Sequence, residues 1–276
     1  MIKRTVTVTP NTSLLDARDI LLRHKLKRLI VLDSKKRPVG IITEKDIAKT
    51  VYSLGDKSIK SVKVGGFMSK NLKTVKKNAS IYDCAKLMKR HKIGSVIVLN
   101  DNKTLAGLVT KTDLASVFLT QTTSPLKVSK IMTRRVITVM PGDSLLFVES
   151  LLINNRISRI VVQRNQKPVG IITYRDFVPA KLPHWIAESA DPKEVERYRM
   201  GLNPTEFAAN QMSHLMHFKA VDIMSANPIT VDASEDVGVA VLLMIRNGIS
   251  GLPVVKNSNL VGIITKADIV KAIAEN

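Results

Sequence analysis

Four strings of one form recur along the chain: Gly40-Ile41-Ile42-Thr43, Gly107-Leu108-Val109-Thr110, Gly170-Ile171-Ile172-Thr173 and Gly262-Ile263-Ile264-Thr265. Three residues after each Thr stands an Asp: Asp46, Asp113, Asp176 and Asp268. Upstream, a Thr-Val pair repeats as Thr7-Val8, Thr74-Val75, Thr138-Val139 and Thr230-Val231, always 31 or 32 residues from Val to Gly. A Met lies seven residues before each Val, at Met1, Met68, Met132 and Met224. One such string constrains little. Four in register make the chain a repeat protein, so the fold has to be read one unit at a time.

Each unit has the same predicted order: strand, helix, strand, strand, helix. A short strand ends in the Thr-Val pair, and a polar turn leads into an amphipathic helix. In the second copy Ile81, Cys84, Ala85 and Met88 recur at i, i+3, i+4 and i+7 on its buried face. Two β-rich runs follow, such as Arg28–Leu32 and Val39–Ile42, joined by the turn Asp33–Pro38. A second helix opens at the motif Thr. A unit of about 55 residues is marginal alone, because so short a chain buries too little of its surface. Two units back to back cover both sheets, so four units give two modules of an α/β, α+β-repeat class. The expected divisions are repeat 1 at 1–57, repeat 2 at 58–120, repeat 3 at 121–180, an inserted segment at 181–218 and repeat 4 at 219–276.

Motif spacing exposes the insertion, since copy three is followed by an extra stretch holding Trp185, Tyr198, Phe207, Met212 and Met216. Its aromatic and Met content predicts a homodimer or protein-partner contact, or a covering for the second module. His214 and His217 sit at i, i+3, but no third ligand accompanies them, so a helical face is expected there and no metal site. Cys84 is the one cysteine and lies on an apolar helical stripe, where a small core residue is expected. It excludes an intramolecular disulfide framework and fits a reducing compartment. No apolar run approaches the ~20 residues of a membrane span, and the opening Met1-Ile2-Lys3-Arg4-Thr5 lacks a signal-peptide core. A cytoplasmic protein is the expectation.

The repeats resemble the CBS (cystathionine-β-synthase) domain, and the resemblance covers nearly the whole chain outside the insertion. It implies four βαββα CBS repeats paired into two Bateman modules, in an arrangement similar to the γ subunit of AMP-activated protein kinase. It also implies inter-repeat clefts for adenosine ligands such as AMP, ADP, ATP or S-adenosylmethionine. In those clefts a motif Thr would stand near phosphate and a motif Asp would hold the ribose hydroxyls. The implied nucleotide-binding set is Thr43, Asp46, Thr110, Asp113, Thr173, Asp176, Thr265 and Asp268. The start of the middle strand often places cations near phosphates in this family. Lys27-Arg28 and Ser158-Arg159 supply them in copies one and three, whereas Gly94-Ser95 and Ser250-Gly251 do not. The residue before each Asp repeats that split: Lys45, Thr112, Arg175, Ala267. Adenine would lie near Val6, Lys73, Ile137 and Ile229. No part resembles a catalytic domain, so a regulatory ligand sensor with no enzymatic activity and no required cofactor is expected.

The motif has a second physical explanation. Thr at an N-cap and Asp at N3 form a capping arrangement that needs no ligand. The same helix N-terminus, with its unpaired N–H groups and positive dipole end, also suits phosphate. Four identical Thr-x-x-Asp choices exceed what capping alone requires, since Ser or Asn would cap as well. The cations of copies one and three are open to the same two readings. They are solvated surface charge, or they favour AMP, ADP or ATP over S-adenosylmethionine and over uncharged methylthioadenosine.

Net charge adds one further expectation. The chain carries 43 Lys+Arg against 23 Asp+Glu, a formal charge of +20. Residues 1–57, 58–120 and 121–180 carry +7, +9 and +6, while 181–276 carry −2. Such asymmetry suggests an interaction surface for an anionic partner, or Lys that keeps the protein soluble. DNA or RNA binding through residues 58–92 is the alternative function, with Lys63, Lys70, Lys73, Lys76, Lys77, Lys86, Lys89, Arg90 and Lys92 as phosphate contacts.

Overall fold

The computed structural model describes residues 5–53, 59–121, 125–177 and 218–275. Met1 and the insertion from 181 to 217, with Trp185, His214 and His217, fall outside those residues. Repeat 1 runs β1 (Thr7–Val8), α1 (Leu14–Arg23), β2 (Arg28–Leu32), β3 (Pro38–Thr43) and α2 (Glu44–Ser53). Repeat 2 runs β4 (Thr74–Lys76), α3 (Ile81–His91), β5 (Ser95–Leu99), β6 (Leu105–Thr110) and α4 (Lys111–Gln121). A short helix α5 (Val128–Ile131) precedes repeat 3, which runs β7 (Thr138–Val139), α6 (Leu145–Asn154), β8 (Arg159–Arg164), β9 (Lys167–Thr173) and a 3-10 turn over Tyr174–Phe177. Then α7 (Ala220–Ile223) and β10 (Ser225–Ala226) lead into β11 (Val231–Asp232), α8 (Val237–Arg246), β12 (Gly251–Lys256), β13 (Asn259–Thr265) and α9 (Lys266–Glu275).

The expected strand–helix–strand–strand–helix order is found, and the register repeats residue for residue. Val8, Val75, Val139 and Val231 pair in parallel with Val31, Val98, Val162 and Val254. The next ladder is antiparallel in every copy, with a bulge immediately after that second Val. One detail departs from expectation: the repeat 4 strand is Val231–Asp232, one residue beyond the Thr-Val pair. Pairing continues along it, because the Ala233 N–H donates to the Val255 carbonyl at 2.9 Å.

The first helices start at equivalent caps. Ser13, Ser80, Ser144 and Asp236 each accept from a first-turn N–H, leaving fewer orphan donors at that end. Three of these helices are followed by a cation in the left-handed region, Lys25, Lys92 and Arg156, where repeat 4 has Gly248 at φ +64°. Cys84 is buried on the stripe with Ala85 and Met88, and burial raises its thiol pKa.

The segment before a repeat belongs to the partner repeat. Ile59, Val62, Val64 and Met68 pack with the repeat 1 core, although 58–120 was the expected extent of repeat 2. Ala220, Ile223 and Met224 pack likewise with repeat 3. Each such arm then adds backbone to the partner's sheet: Ser69 pairs with Ile41, Thr133 with Ile263 and Ser225 with Ile171. Seated there, the arm's Met covers the partner's motif Gly. A Cβ on Gly40 would come 2.7 Å from Met68 Cγ, and one on Gly262 would come 2.6 Å from Met132 Sδ. Met224 covers Gly170 in the same way. The recurrent Met and the recurrent Gly are therefore two halves of one contact. It joins repeat 1 to 2 and repeat 3 to 4. The repeat 1 and 2 sheets also meet through Ile30, Ile97 and Leu108.

Candidate ligand clefts and a central cation cluster

The capping geometry is present in all four motifs. The Thr N–H and hydroxyl both donate to Oδ2 of the Asp three residues on, for Thr43–Asp46, Thr110–Asp113, Thr173–Asp176 and Thr265–Asp268. The bonds at the first motif are 2.9 and 2.7 Å. Oδ2 closes the cap each time. In repeat 4 the second oxygen also accepts from Thr133 Oγ1 at 3.3 Å, on the arm that precedes repeat 3 and pairs with the repeat 4 sheet. Beside the motifs, Val6 and Ile229, which precede the first strands of repeats 1 and 4, are exposed, Ile137 and Lys73 are half-buried, and Ser158 is exposed.

Of the strand-start cations, Arg28 and Arg159 are half-buried, whereas Lys27 is exposed. Arg28 lies against Gly94 and donates to Ser95 Oγ at 2.6 Å. A Cβ on Gly94 would stand 2.7 Å from its guanidinium. Arg159 lies against Gly251 in the same manner and donates to Ser250 Oγ at 2.8 Å. The copies that lack a cation thus supply the space and the acceptor for the cation of their partner. Burial lowers both guanidinium pKa values, that of Arg159 to about 10, while Asp46 and Glu44 oppose the shift at Arg28 and Asp268 opposes it at Arg159. The Arg159 of repeat 3 therefore stands by the motif acid of repeat 4, which sorting the residues by copy does not anticipate.

Lys27 completes the cluster from repeat 1, donating to the same Ser250 Oγ at 2.9 Å. Two cations from different modules thus share one neutral oxygen. Burial first, then the charges of Arg159 and Lys266, lower the Lys27 ammonium to about 8. Lys111 and Lys266, the residues after Thr110 and Thr265, join it. Burial lowers both, and Arg159 lowers them further, as does Arg28 at Lys111. Lys266 donates to Thr112 Oγ1 at 3.1 Å. Lys111 and Lys266 were not among the expected site residues. The signal was the residue after each motif Thr, which reads Glu44, Lys111, Tyr174, Lys266, so the even copies carry their cation there.

Lys45 and Arg175 instead join the modules. The Arg175 guanidinium pairs with Glu44, its Nε donating at 2.6 Å, and its Nη2 donates to the Leu26 carbonyl at 3.2 Å. Lys45 Nζ stands 5.1 Å from the centroid of the Tyr174 ring. Among the described residues no group of three or more His, Cys, Asp or Glu is gathered as for a metal, and no helix is long and apolar enough to cross a membrane.

Four sheet-and-helix units, paired through exchanged arms, define a tandem-repeat fold. The CBS domain model matches residues 1–53, 64–120, 128–182 and 220–275. The chain belongs to the CBS-domain family. It is 26% identical over 289 aligned positions to the uncharacterized protein MJ1225 of Methanocaldococcus jannaschii, covering 99% of this chain and 96% of that one. The crystal structure of MJ1225, offered as a candidate archaeal homologue of AMPK γ, superposes with a TM-score of 0.80 at 25% identity, over 99% of this chain and 98% of that one. An uncharacterized conserved protein from Pyrococcus horikoshii shares the fold, with a TM-score of 0.64 at 19% identity over 99% and 97% of the two chains.

Proposed function

We propose that the protein is a regulatory sensor of adenine nucleotides, taking AMP, ADP or ATP in the inter-repeat clefts with phosphates directed to the central cations. The observation that carries this reading is the pair of 2.9 and 2.8 Å bonds from Lys27 and Arg159 to Ser250 Oγ. Two cations on one neutral hydroxyl concentrate positive charge there, and a phosphate group would neutralise both. In this reading the carboxylates of Asp46, Asp113, Asp176 and Asp268 keep Oδ2 in the cap and lie where the ribose hydroxyls would be held. Thr43, Thr110, Thr173 and Thr265 hold the helix ends toward phosphate. Arg28, Arg159, Lys27, Lys111 and Lys266 set the preference for phosphorylated ligands, while Lys45 and Arg175 report occupancy by lying between the modules. A ligand that favours one arrangement of those modules shifts the population and so changes a partner contact. The likeness to MJ1225, and through it to AMPK γ, supports the same class of role.

The test is calorimetric titration of the full chain with AMP, ADP, ATP and S-adenosylmethionine, repeated on Asp46→Ala, Asp176→Ala, Asp268→Ala and Arg159→Met. Phosphorylated ligands should weaken by about tenfold or more in Arg159→Met, the scale of one charge-assisted hydrogen bond. S-adenosylmethionine should be indifferent to that change. Heats unchanged in all four variants would remove the site assignment.

A further inference from the structure

Helix α3 differs from the three helices that occupy its place in the other repeats. It carries Lys86, Lys89, Arg90 and His91 on its exposed side, and its one acid, Asp83, accepts from the N–H and hydroxyl of Ser80 in a capping box. At the same position α6 exposes Phe147 and Ile153, α8 exposes Val239 and Leu242, and α1 bears Asp16 and Asp19. The sister helices are equally placed and need no lysines there. Solubility therefore does not account for the charge on α3 alone.

Further cations flank α3 at both ends. Its strand β4 is an edge of the sheet, and Lys76 and the following Lys77 are exposed where the chain turns toward the helix N-terminus. At the other end, desolvation and then the charges of Lys73 and Arg90 hold the His91 imidazole below its ordinary pKa, so these three groups are neighbours. Lys89 is paired with Glu275 of α9 at 2.8 Å. Lys86 and Arg90, four residues apart, lie on one stripe with the exposed Tyr82. Eleven helical residues span about 16 Å, the length of roughly three nucleotides of extended backbone.

The geometry points to a single-stranded nucleic-acid binding surface on repeat 2, with Lys73, Lys76, Lys77, Lys86 and Arg90 along the phosphates and Tyr82 as a stacking face for a base. This surface lies on the outer face of α3 and is separate from the central cluster, so it stands independently of the nucleotide reading. The cations supply a sequence-independent affinity through counterion release, and an exposed phenol within a basic stripe suits unpaired bases rather than a duplex. No row of exposed apolar side chains accompanies them on α3 to enter a lipid surface, as a membrane-binding helix requires.

Fluorescence anisotropy of labelled single-stranded and duplex 12-mers of RNA and DNA, with the full chain at 50 to 200 mM salt, tests the inference. Single strands should bind at 50 mM, and affinity should fall about 100-fold by 200 mM for five phosphate contacts. The Lys86→Glu/Arg90→Glu variant should lower affinity at least tenfold and flatten the salt slope. Tyr82→Ala should weaken single strands about fivefold or more and leave duplex unchanged. These residues are exposed, so melting curves and AMP titration heats of the variants should match the parent. Absence of binding at 50 mM salt, affinity unaltered by the charge reversal, tighter binding of duplex, or binding confined to phosphatidylserine vesicles would each overturn the inference.

Discussion

Repeats 2 and 4 meet through a continuous apolar interior, whereas repeats 1 and 3 meet through charged side chains. On the first edge one cluster runs from Cys84, Ala85 and Met88 of α3, through Leu114 and Phe118 of α4, to Val241 and Met244 of α8 and Ile269 and Ile273 of α9. On the second, the repeat 1 and repeat 3 cores are separate clusters among the described residues. Arg175, Glu44, Lys45 and Tyr174 span the gap. The difference is written at one register position, ten residues after each Val. It reads Arg18, Ala85, Glu149 and Val241, and all four are buried. Repeat 2 faces repeat 4 with small and branched apolar residues, while repeats 1 and 3 carry opposite charges there. One scaffold can thus fasten one edge by area removed from water and make the other sensitive to charge.

The comparison breaks first at its apolar edge. Met244→Ala, at a fully buried position, should cost about 2–5 kcal/mol in chemical denaturation. Because the cluster spans both modules, hydrogen exchange should accelerate in repeats 2 and 4 together. Acceleration confined to repeat 4 would show that the two cores are independent.

A smaller change is expected at the polar edge. Glu44→Gln leaves the partly exposed Arg175 without its carboxylate, and the loss should be about 1–2 kcal/mol, between surface and buried pairs. Exchange should rise in α2 and the Tyr174–Phe177 turn while the helices of repeats 2 and 4 keep their protection. A global loss as large as that of Met244→Ala would erase the distinction.

The subtlest signature is pH. Lys27, reaching from repeat 1 to Ser250 of repeat 4, has a folded-state pKa of about 8 against 10.5 for the free side chain. Between those values the unfolded chain binds more protons, so this residue makes stability rise with pH from about 8 to 10.5. Its cost is fully present below 8. A bound phosphate favours the ammonium and should cause proton uptake near pH 8, visible as a buffer-dependent heat in calorimetry. Lys27→Met should abolish that uptake; unchanged uptake would assign the proton elsewhere.

Much of this architecture is legible in the sequence because it depends on local spacing. The Thr-Val strand and the Gly-to-Asp motif each act within a few residues, and both recur in the structure, the strand shifted by one residue in repeat 4. The pairing of Met with Gly was visible as two separate periodicities but not as one contact, because the arm crosses to another repeat. Lys45 and Arg175 carry the right charge for a cleft, yet their partners Tyr174 and Glu44 are far away in sequence, so no spacing reports that they serve the module interface. Lys111 and Lys266 were overlooked for a different reason: their cation sits one residue earlier in the motif than in the odd copies. The Arg28–Gly94 and Arg159–Gly251 fits depend on volume exchanged between copies, which a comparison of like positions treats as mere absence of charge.

The exchanged arms also decide where the chain can be divided. A fragment ending before Ile59 would lack the strip that completes its own core, and the remaining fragment would carry that strip with nothing to cover. Two halves cut there should recognise each other and reassemble. A cut between repeats 2 and 3 leaves α5 and Met132 with repeat 4, but opens the apolar cluster that α3 and α4 share with α8 and α9. The protein is in this sense a single piece stitched in two directions, and neither the repeat nor the module is its natural unit of dissection.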